Sequence, residues 1–434
     1  MMTVWKLRPG ADKRIRSGHP WIFSNELADS PKGLPPGTPV ELQDARGQFL
    51  ARGYGNPHSL ISFRALSFNS QDKEPTHYEF LQEKVVSAWK SRRVTGFQGS
   101  FRLCFGESDY IPGLVLDYYL IEHNHHRYQV FACQLVTAGM DLALKDISGF
   151  FQGVVEKAHK LGLTPLSWDK TAVVVRNDVS VRKLEGITME APRIVKALDG
   201  VDLKHADILL NPALGGELLP MSCDLAEGQK TGFFLDQTHN IKLAVELFNH
   251  WAKTRTDKTI RVLDLCCYVG HWSSQIARAL KAQGHHVEVT LVDVSKTALA
   301  YAKKNAERQG AHVIVQEMDV LEGLGNLPSQ HYDIVIADPP AFIKAKKDIP
   351  TGKAAYVKMN TQAFRVAKKE GFVVSCSCSG LLEEEEFRDA IRKASLRNYS
   401  EVRGVLRGGH AADHPTLMQF PEGFYLKMYT TQIL

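Results

Sequence analysis

The chain has 434 residues, with 53 Lys and Arg against 48 Asp and Glu and a formal charge of +5. An apolar share of 44% and a charged share of 23% are ordinary for globular chains and exclude a disordered or fibrous one. No apolar stretch reaches the ~20 residues that span a bilayer. The start, Met1-Met2-Thr3-Val4-Trp5-Lys6, has no charged-then-apolar leader. Seven cysteines without regular spacing argue against a disulfide framework. A reduced, cytoplasmic protein without membrane contact is therefore expected. The mild positive charge permits a polyanionic partner, and ~150 residues per domain suggests about three domains.

Residues 1–72 read as a small, mostly β unit. Pro35-Pro36-Gly37 and Asp44-Ala45-Arg46-Gly47 are turn signals, and Thr38–Leu42 and Leu60–Arg64 read as short strands. Lys6, Arg8, Lys13, Arg14 and Arg16 crowd the start, followed by His19-Pro20-Trp21-Ile22-Phe23. Cations interleaved with rings suit RNA, which offers phosphates and unstacked bases; a solvated basic edge with Trp21 and Phe23 in the core fits equally well.

A polar stretch from Asn69 to His77 marks a boundary. Residues 73–195 alternate strand-like and helical patterns: a helix from Tyr78 to Ser91, strands at Leu114–Asp117 and Tyr128–Phe131, and helical spacing from Met140 to Lys160. Glu107-Ser108-Asp109 reads as a turn, and this domain as a scaffold.

Residues 196–434 repeat strand, loop and helix. Strands are expected at Arg261–Leu265, Val287–Val292, His312–Gln316, Ile334–Ala337, Gly371–Ser375 and Phe424–Gln432. Helices are expected near Trp272–Gln283, from the cap Ser295 to Gln309, at Lys353–Lys369 and at Glu383–Leu396. Such alternation implies a largely parallel sheet covered on both faces.

In such a sheet, ligands bind outside the carboxyl ends of the strands. Asp264, Asp293 and Asp319 mark three successive strand ends. The turn Cys266-Cys267-Tyr268-Val269-Gly270 leads into a helix, and only Gly270 is present where a dinucleotide fingerprint needs three glycines. With no phosphate cradle, S-adenosyl-L-methionine is favoured over NAD. Asp293 is expected on the ribose hydroxyls, Asp319 near the adenine amine and Asp264 and Tyr268 beside the donor. Lys230-Thr231-Gly232-Phe233-Phe234-Leu235-Asp236-Gln237 offers rings, a carboxylate and a carboxamide to one side of a nucleoside, with Lys230, Phe234 and Asp236 as its contacts.

Asp338-Pro339-Pro340 and Ser377-Cys378-Ser379-Gly380 each follow an apolar strand. A carboxylate and a thiol at one crevice suit covalent chemistry on a pyrimidine. A thiolate adding to carbon 6 of cytosine makes carbon 5 nucleophilic, and Asp338 holds the Watson–Crick edge and borders the cofactor. Cys376 shares the strand face with Cys378, but Cys378 is nearer the strand end and Gly380 and is the preferred nucleophile. Pro339, Phe342, Tyr356 and His414 are the expected substrate contacts. No Cys-x-x-Cys or matching His pair completes a metal site. Two alternatives stay open: methylation of an exocyclic amine on an RNA base, and a non-catalytic RNA-binding protein that keeps the fold.

Several stretches resemble the bacterial 23S rRNA cytosine-5 methyltransferases that carry an N-terminal PUA domain. They are Arg14–Ser24, Glu107–Leu114, Asn177–Gly186, Thr231–Gln237, Asp338–Phe342, Ser377–Gly380 and Ala412-Asp413-His414-Pro415. The resemblance implies a Rossmann-like class I methyltransferase domain with a mostly parallel sheet, a central α+β domain and a small β PUA-like domain. It implies ribosomal RNA as partner and Cys378 as nucleophile; a homodimer is compatible with it. Two positions depart from that family: His271 stands where a second Gly is usual, and Ala355-Tyr356 where Arg-Gly-Tyr or similar is usual.

Overall fold

The computed structural model describes residues 2–434. The chain forms two compact units. One comprises Met1–Leu210, Asp224–Leu235 and Ala412–Gly423, and the other Asn211–Cys223, Asp236–Ala411 and Phe424–Leu434.

The first unit contains two sheets. β1 (Thr3–Lys6), β2 (Trp21–Phe23), β3 (Thr38–Gln43), β4 (Phe49–Gly55) and β5 (Ile61–Ser67) pair in the order β1-β3-β4-β5-β2. Alternate residues Val40 and Leu42 of β3 pack with Trp5, Ile22 and Phe63 in its core. The expected turn at Asp44 joins β3 to β4, and Asp44 Oδ1 accepts from the N–H of Arg46 at 2.8 Å and of Gln48 at 2.9 Å. The second sheet holds β6 (Phe101–Phe105), β7 (Leu114–His123), β8 (His126–Leu135), β9 (Thr171–Val175), β10 (Arg193–Lys196) and β11 (Ala206–Leu210). Its order is β10-β9-β8-β7-β11, with β6 sharing an edge of β7.

Buried polar bonds join these two sheets. Tyr54 Oη donates to Pro112 O at 2.6 Å, and Asn56 and Arg64 converge on the Glu185 carboxylate at 2.9 and 2.8 Å. The Glu107–Asp109 segment is indeed a turn, and Asp109 clamps Arg92 at 2.5 and 2.7 Å. In the basic N-terminal stretch, Arg14 pairs with Glu26, and Arg16 with Asp12 and Asp44, while Lys6, Arg8 and Lys13 are exposed. Trp21 and Phe23 are half-buried, between the two readings of that stretch.

The second unit holds β12 (Leu219–Cys223), β13 (Thr259–Leu265), β14 (His286–Asp293), β15 (His312–Glu317), β16 (Tyr332–Ala337), β17 (Ala367–Ser377), β18 (Val402–Gly408) and β19 (Lys427–Ile433). Strands β13 to β19 form one sheet in the order β15-β14-β13-β16-β17-β19-β18, parallel except for β19 and β18. Strand periodicity explains its two covered faces. Val262, Val289, Ile334 and Val374 point to one core with the helices Thr238–Ala252, His271–Lys281 and Lys296–Arg308. Their neighbours Leu263, Val335 and Val373 point to the other, against Ile349–Val366 and Glu384–Arg397. The connections reverse direction between β13 and β16, which opens a crevice at the carboxyl ends.

The structure differs from the sequence reading in detail: the expected strand Phe424–Gln432 starts at Lys427, and the helical stretch Met140–Lys160 is two helices, Ala138–Ala143 and Ile147–Lys160. The helix expected to reach Lys369 stops at Val366, where β17 begins. Val402–Gly408 is an additional strand, at the sheet edge and largely half-exposed or exposed. Among the described residues no helix is long and apolar enough to cross a membrane.

Asn305, fully buried on the helix Lys296–Arg308, ties β12 to the turn after β13. Its amide donates to Ser222 O and Val269 O, each at 2.9 Å, and its Oδ1 accepts from Ser222 N at 2.7 Å. Asn305→Ala leaves these buried groups unpaired and is expected to cost about 2–3 kcal/mol, measured by urea unfolding.

Candidate active site

The turn after β13 is built on left-handed backbone. Cys266, Tyr268 and Gly270 have φ of 60°, 48° and 79°. Two of these three carry side chains, so the conformation must be held from outside. Asp293, the last residue of β14, does this: Oδ2 accepts from Tyr268 N at 3.0 Å and Oδ1 from Ser295 N at 2.9 Å. Cys267 N donates to Val292 O at 3.0 Å and Gly270 N to Cys267 O at 2.8 Å. Gly270 serves helix packing, since a Cβ there would meet Ala302 Cα at 3.1 Å.

Carboxylates surround this turn. Asp264 is fully buried; Oδ2 accepts from Ser273 N at 3.2 Å, and Oδ1 has no partner among the described residues. Burial pushes the Asp264 carboxyl up to about 7, opposed by the Ser273 hydrogen bond and reinforced by Asp338 and Asp293. Burial, then the charges of Asp293, Asp338, Asp264 and Asp319, hold the Cys266 thiol well above its ordinary range. Asp319 lies two residues past β15 rather than on its last position, exposed, with Oδ1 accepting from Leu321 N at 2.7 Å.

A second cluster sits at the ends of β16 and β17. Parallel register sets Ala337 opposite Ser375, so the tips Asp338-Pro339 and Ser377-Cys378 emerge side by side. Asp338 is gripped twice: Gln237 Nε2 donates to Oδ1 at 2.8 Å and Trp272 Nε1 to Oδ2 at 3.0 Å. Asn240 donates to Gln237 Oε1 at 2.7 Å, which fixes the amide's orientation. Sequence reasoning put the Gln237 carboxamide beside a nucleoside rather than on Asp338, and missed Trp272 as a site residue. The available signal was an indole at a helix start, because a buried Trp N–H requires an acceptor.

Cys378 is half-exposed, and its Sγ–H points to Pro339 O at 3.8 Å. Hydroxyls brace its loop: Tyr356 Oη lies 2.9 Å from both Ser379 Oγ and Ser377 Oγ, and Ile343 N donates to Ser379 Oγ at 3.1 Å. Cys376 is buried in the core, and burial pushes its thiol well up.

The other expected site residues divide between the units. Asp236 lies in the second, buried, accepting from Tyr425 Oη at 2.6 Å. Pro339 is buried and Phe342 half-buried, its ring 4.8 Å from that of Tyr356. Tyr356, expected on the substrate, is instead completely buried beneath the Cys378 loop, because its hydroxyl is taken up by the two serines. Lys230 and Phe234 belong to the first unit, with the ammonium 4.2 Å from the ring centre. His414, also expected on the substrate, is buried in the first unit, with Nδ1 2.9 Å from Asp413 Oδ1 and its ring beside Phe105.

Comparison with known proteins agrees with this architecture. A PUA-like domain family matches residues 6–68, and a methyltransferase domain family matches residues 256–416. Ribosomal RNA large subunit methyltransferase I of Photobacterium profundum is 32% identical over the whole of both chains, and that of Tolumonas auensis is 30% identical over 98% of each. The chain belongs to the ribosomal RNA large subunit methyltransferase I family.

A putative SAM-dependent methyltransferase from Streptococcus mutans shares the fold of this family member, with a TM-score of 0.70, 16% identity and coverage of 99% and 100%. A putative methyltransferase complexed with SAH does likewise, with a TM-score of 0.72 and 17% identity over 99% and 100%. The methyltransferase domain takes S-adenosyl-L-methionine. The crevice fits that group: four carboxylates face the turn, one with an unpartnered buried oxygen. They suit a sulfonium and an ammonium and would repel a phosphate.

The Asp264 carboxyl titrates above its ordinary 3.8, so its contribution to stability is complete below about pH 4 and is lost as pH rises through about 7. Asp264→Asn cannot ionise. Urea unfolding at about pH 5 and about pH 8 should show the native chain losing more stability than the variant across this window. Equal losses would mean that the carboxyl is not raised.

Proposed function

We propose that this chain transfers a methyl group from S-adenosyl-L-methionine to carbon 5 of a cytosine in ribosomal RNA, through a covalent adduct with Cys378. Ribosomal RNA as substrate is carried over from the related large subunit methyltransferases, and a reduced, cytoplasmic setting agrees with the free cysteines. The PUA-like module, residues 1–72 in the three-part division, is its RNA-binding element. The observation that carries this reading is that Asp338-Pro339 and Cys378 leave neighbouring strand ends together, with Cys378 Sγ 3.8 Å from Pro339 O. Cys376 is sealed in the core, while Cys266 and Cys267 sit among carboxylates that oppose a thiolate.

The bound cofactor supplies an electrophilic methyl group. Asp293, which retains lone pairs, would hold the ribose hydroxyls, Asp319 would take the adenine amine, and Asp264, Tyr268 and the Gly270 turn would line the donor side. Asp338, fixed by Gln237 and Trp272, holds the Watson–Crick edge of the cytosine, where charge changes as the thiolate adds. The Cys378 thiolate forms a bond to carbon 6, and the π pair moves to carbon 5, which becomes enamine-like. Carbon 5 takes the methyl group as the C–S bond of the sulfonium breaks and a neutral thioether leaves; transfer of the carbon-5 proton to a base then restores the double bond and expels the thiolate.

This scheme is tested with rRNA containing 5-fluorocytosine, whose carbon 5 has no proton to lose. A protein–RNA adduct should be retained on a denaturing gel and disappear in Cys378→Ala, with turnover on ordinary rRNA falling by about 10³-fold or more. Cys376→Ala should keep the adduct. Ordinary turnover in Cys378→Ala without any trapped species would establish amine methylation instead.

A further inference from the structure

We infer that Lys427 is a positioning residue whose buried ammonium stabilises the Cys378 thiolate. The inference rests on Cys378 being the reacting thiol, and it names the group that makes that thiol reactive.

Lys427 opens β19, opposite Ser377, the last residue of β17. Its side chain therefore begins one residue from the nucleophile. The residue is only 9% exposed. Nζ donates to Ser379 O at 3.0 Å and Tyr425 O at 2.9 Å. Those two carbonyls use two of its three N–H donors, and no carboxylate forms an ion pair with it among the described residues. A lysine this buried without a carboxylate partner is uncommon, because burying an uncompensated charge is costly. The compensation lies in the loop it grips, since Ser379 is the residue after Cys378.

The surrounding charges support this. Burial pulls the Lys427 ammonium below the ordinary lysine range, and the strongest opposing influence is Cys378, ahead of Glu383 and Glu384. That influence is mutual: whatever keeps the ammonium charged beside Cys378 keeps the thiolate charged beside Lys427. The other ionisable groups around the pair do not provide it. Glu384 accepts from Tyr429 Oη at 2.7 Å and pairs with Arg407. Tyr356, on the helix behind the loop, is held by burial above its ordinary range, neutral and engaged with Ser377 and Ser379. Asp338, beyond β16, and Cys376, beneath the loop, act against a second anion. Lys427 holds a buried ammonium against this loop. An ordinary thiol near pKa ~8.5 is only a few per cent ionised at neutral pH, and a neighbouring cation raises that fraction.

The test reads the thiol directly. Full-length protein is alkylated with iodoacetamide across a pH series, and modification of the Cys378 peptide is followed by mass spectrometry, with Cys376 as the internal measure of intact fold. The native chain should show a Cys378 midpoint below ~8.5. Lys427→Met should raise it by about one pH unit. Alkylation at neutral pH then falls about threefold, because the tenfold loss of thiolate is partly offset by its greater nucleophilicity. Lys427→Arg should keep most of the native profile. A native midpoint at or above ~8.5 overturns the inference even if Lys427→Met fails to fold. So does an unchanged midpoint in a folded Lys427→Met. A 5-fluorocytosine adduct with an unchanged midpoint removes Lys427 alone, whereas a shifted midpoint without any adduct removes the carbon-5 scheme and leaves the lysine's effect on the thiol in place.

Discussion

Parallel pairing of β16 with β17 is the constraint on which the site depends. Register alone sets Ala337 against Ser375, so the residues that follow, Asp338-Pro339 and Ser377-Cys378, leave the sheet together. Neither side chain needs a long loop to reach the other. The strand ends are rigid because both faces of the sheet are covered by helices, and a site built on rigid elements holds its geometry better than one built on loops. The double grip of Gln237 and Trp272 then removes the remaining freedom of the Asp338 carboxylate.

The donor side follows from the same sheet by a different route. Its turn has left-handed backbone at three alternate positions, a conformation that side-chain-bearing residues adopt only when neighbours enforce it. The carboxylate of Asp293 bonds one of those residues, and Asn305 bonds the carbonyl of Val269. Asp293 thus shapes the turn by accepting from two N–H groups, and its carboxylate oxygens keep further lone pairs. A strand-end Asp that serves as a structural cap therefore still has acceptor capacity left.

Much of the catalytic sheet was legible because buried parallel strands write themselves as short apolar runs. Val287–Val292 and Ile334–Ala337 each fall inside an observed strand, and Ser295 caps its helix by accepting from Ala298 N. β18 was not legible: two glycines and two arginines in an edge strand satisfy neither an apolar run nor a clean alternation. Trp272, and the hold of Gln237 on Asp338, were missed for a related reason, since the shared partner lies 66 and 101 residues away. Tyr356 and His414 show the reverse error. Motif proximity suggested contact with substrate, yet both are buried and already bonded to neighbours. Sequence spacing reports which residues are near in the chain; hydrogen-bond demand decides where a buried polar group points.

The charges of the two sides differ in a way that suits the chemistry. Around the cofactor turn, burial and then the charges of four carboxylates raise the Cys266 thiol, and those carboxylates favour cations. At the Cys378 loop, the buried ammonium of Lys427 is bonded to the carbonyl of the next residue, Ser379. A thiol on the donor side is therefore kept protonated and inert, while the thiol at the end of β17 faces a cation. Burial of the Cys266 sulfur and the negative charges around it act in the same direction, and both oppose the thiolate on which nucleophilicity turns. A sheet that orders its strand ends can thus hold an electrophile among anions and a nucleophile beside a cation within one crevice, with each environment set by a neighbouring strand.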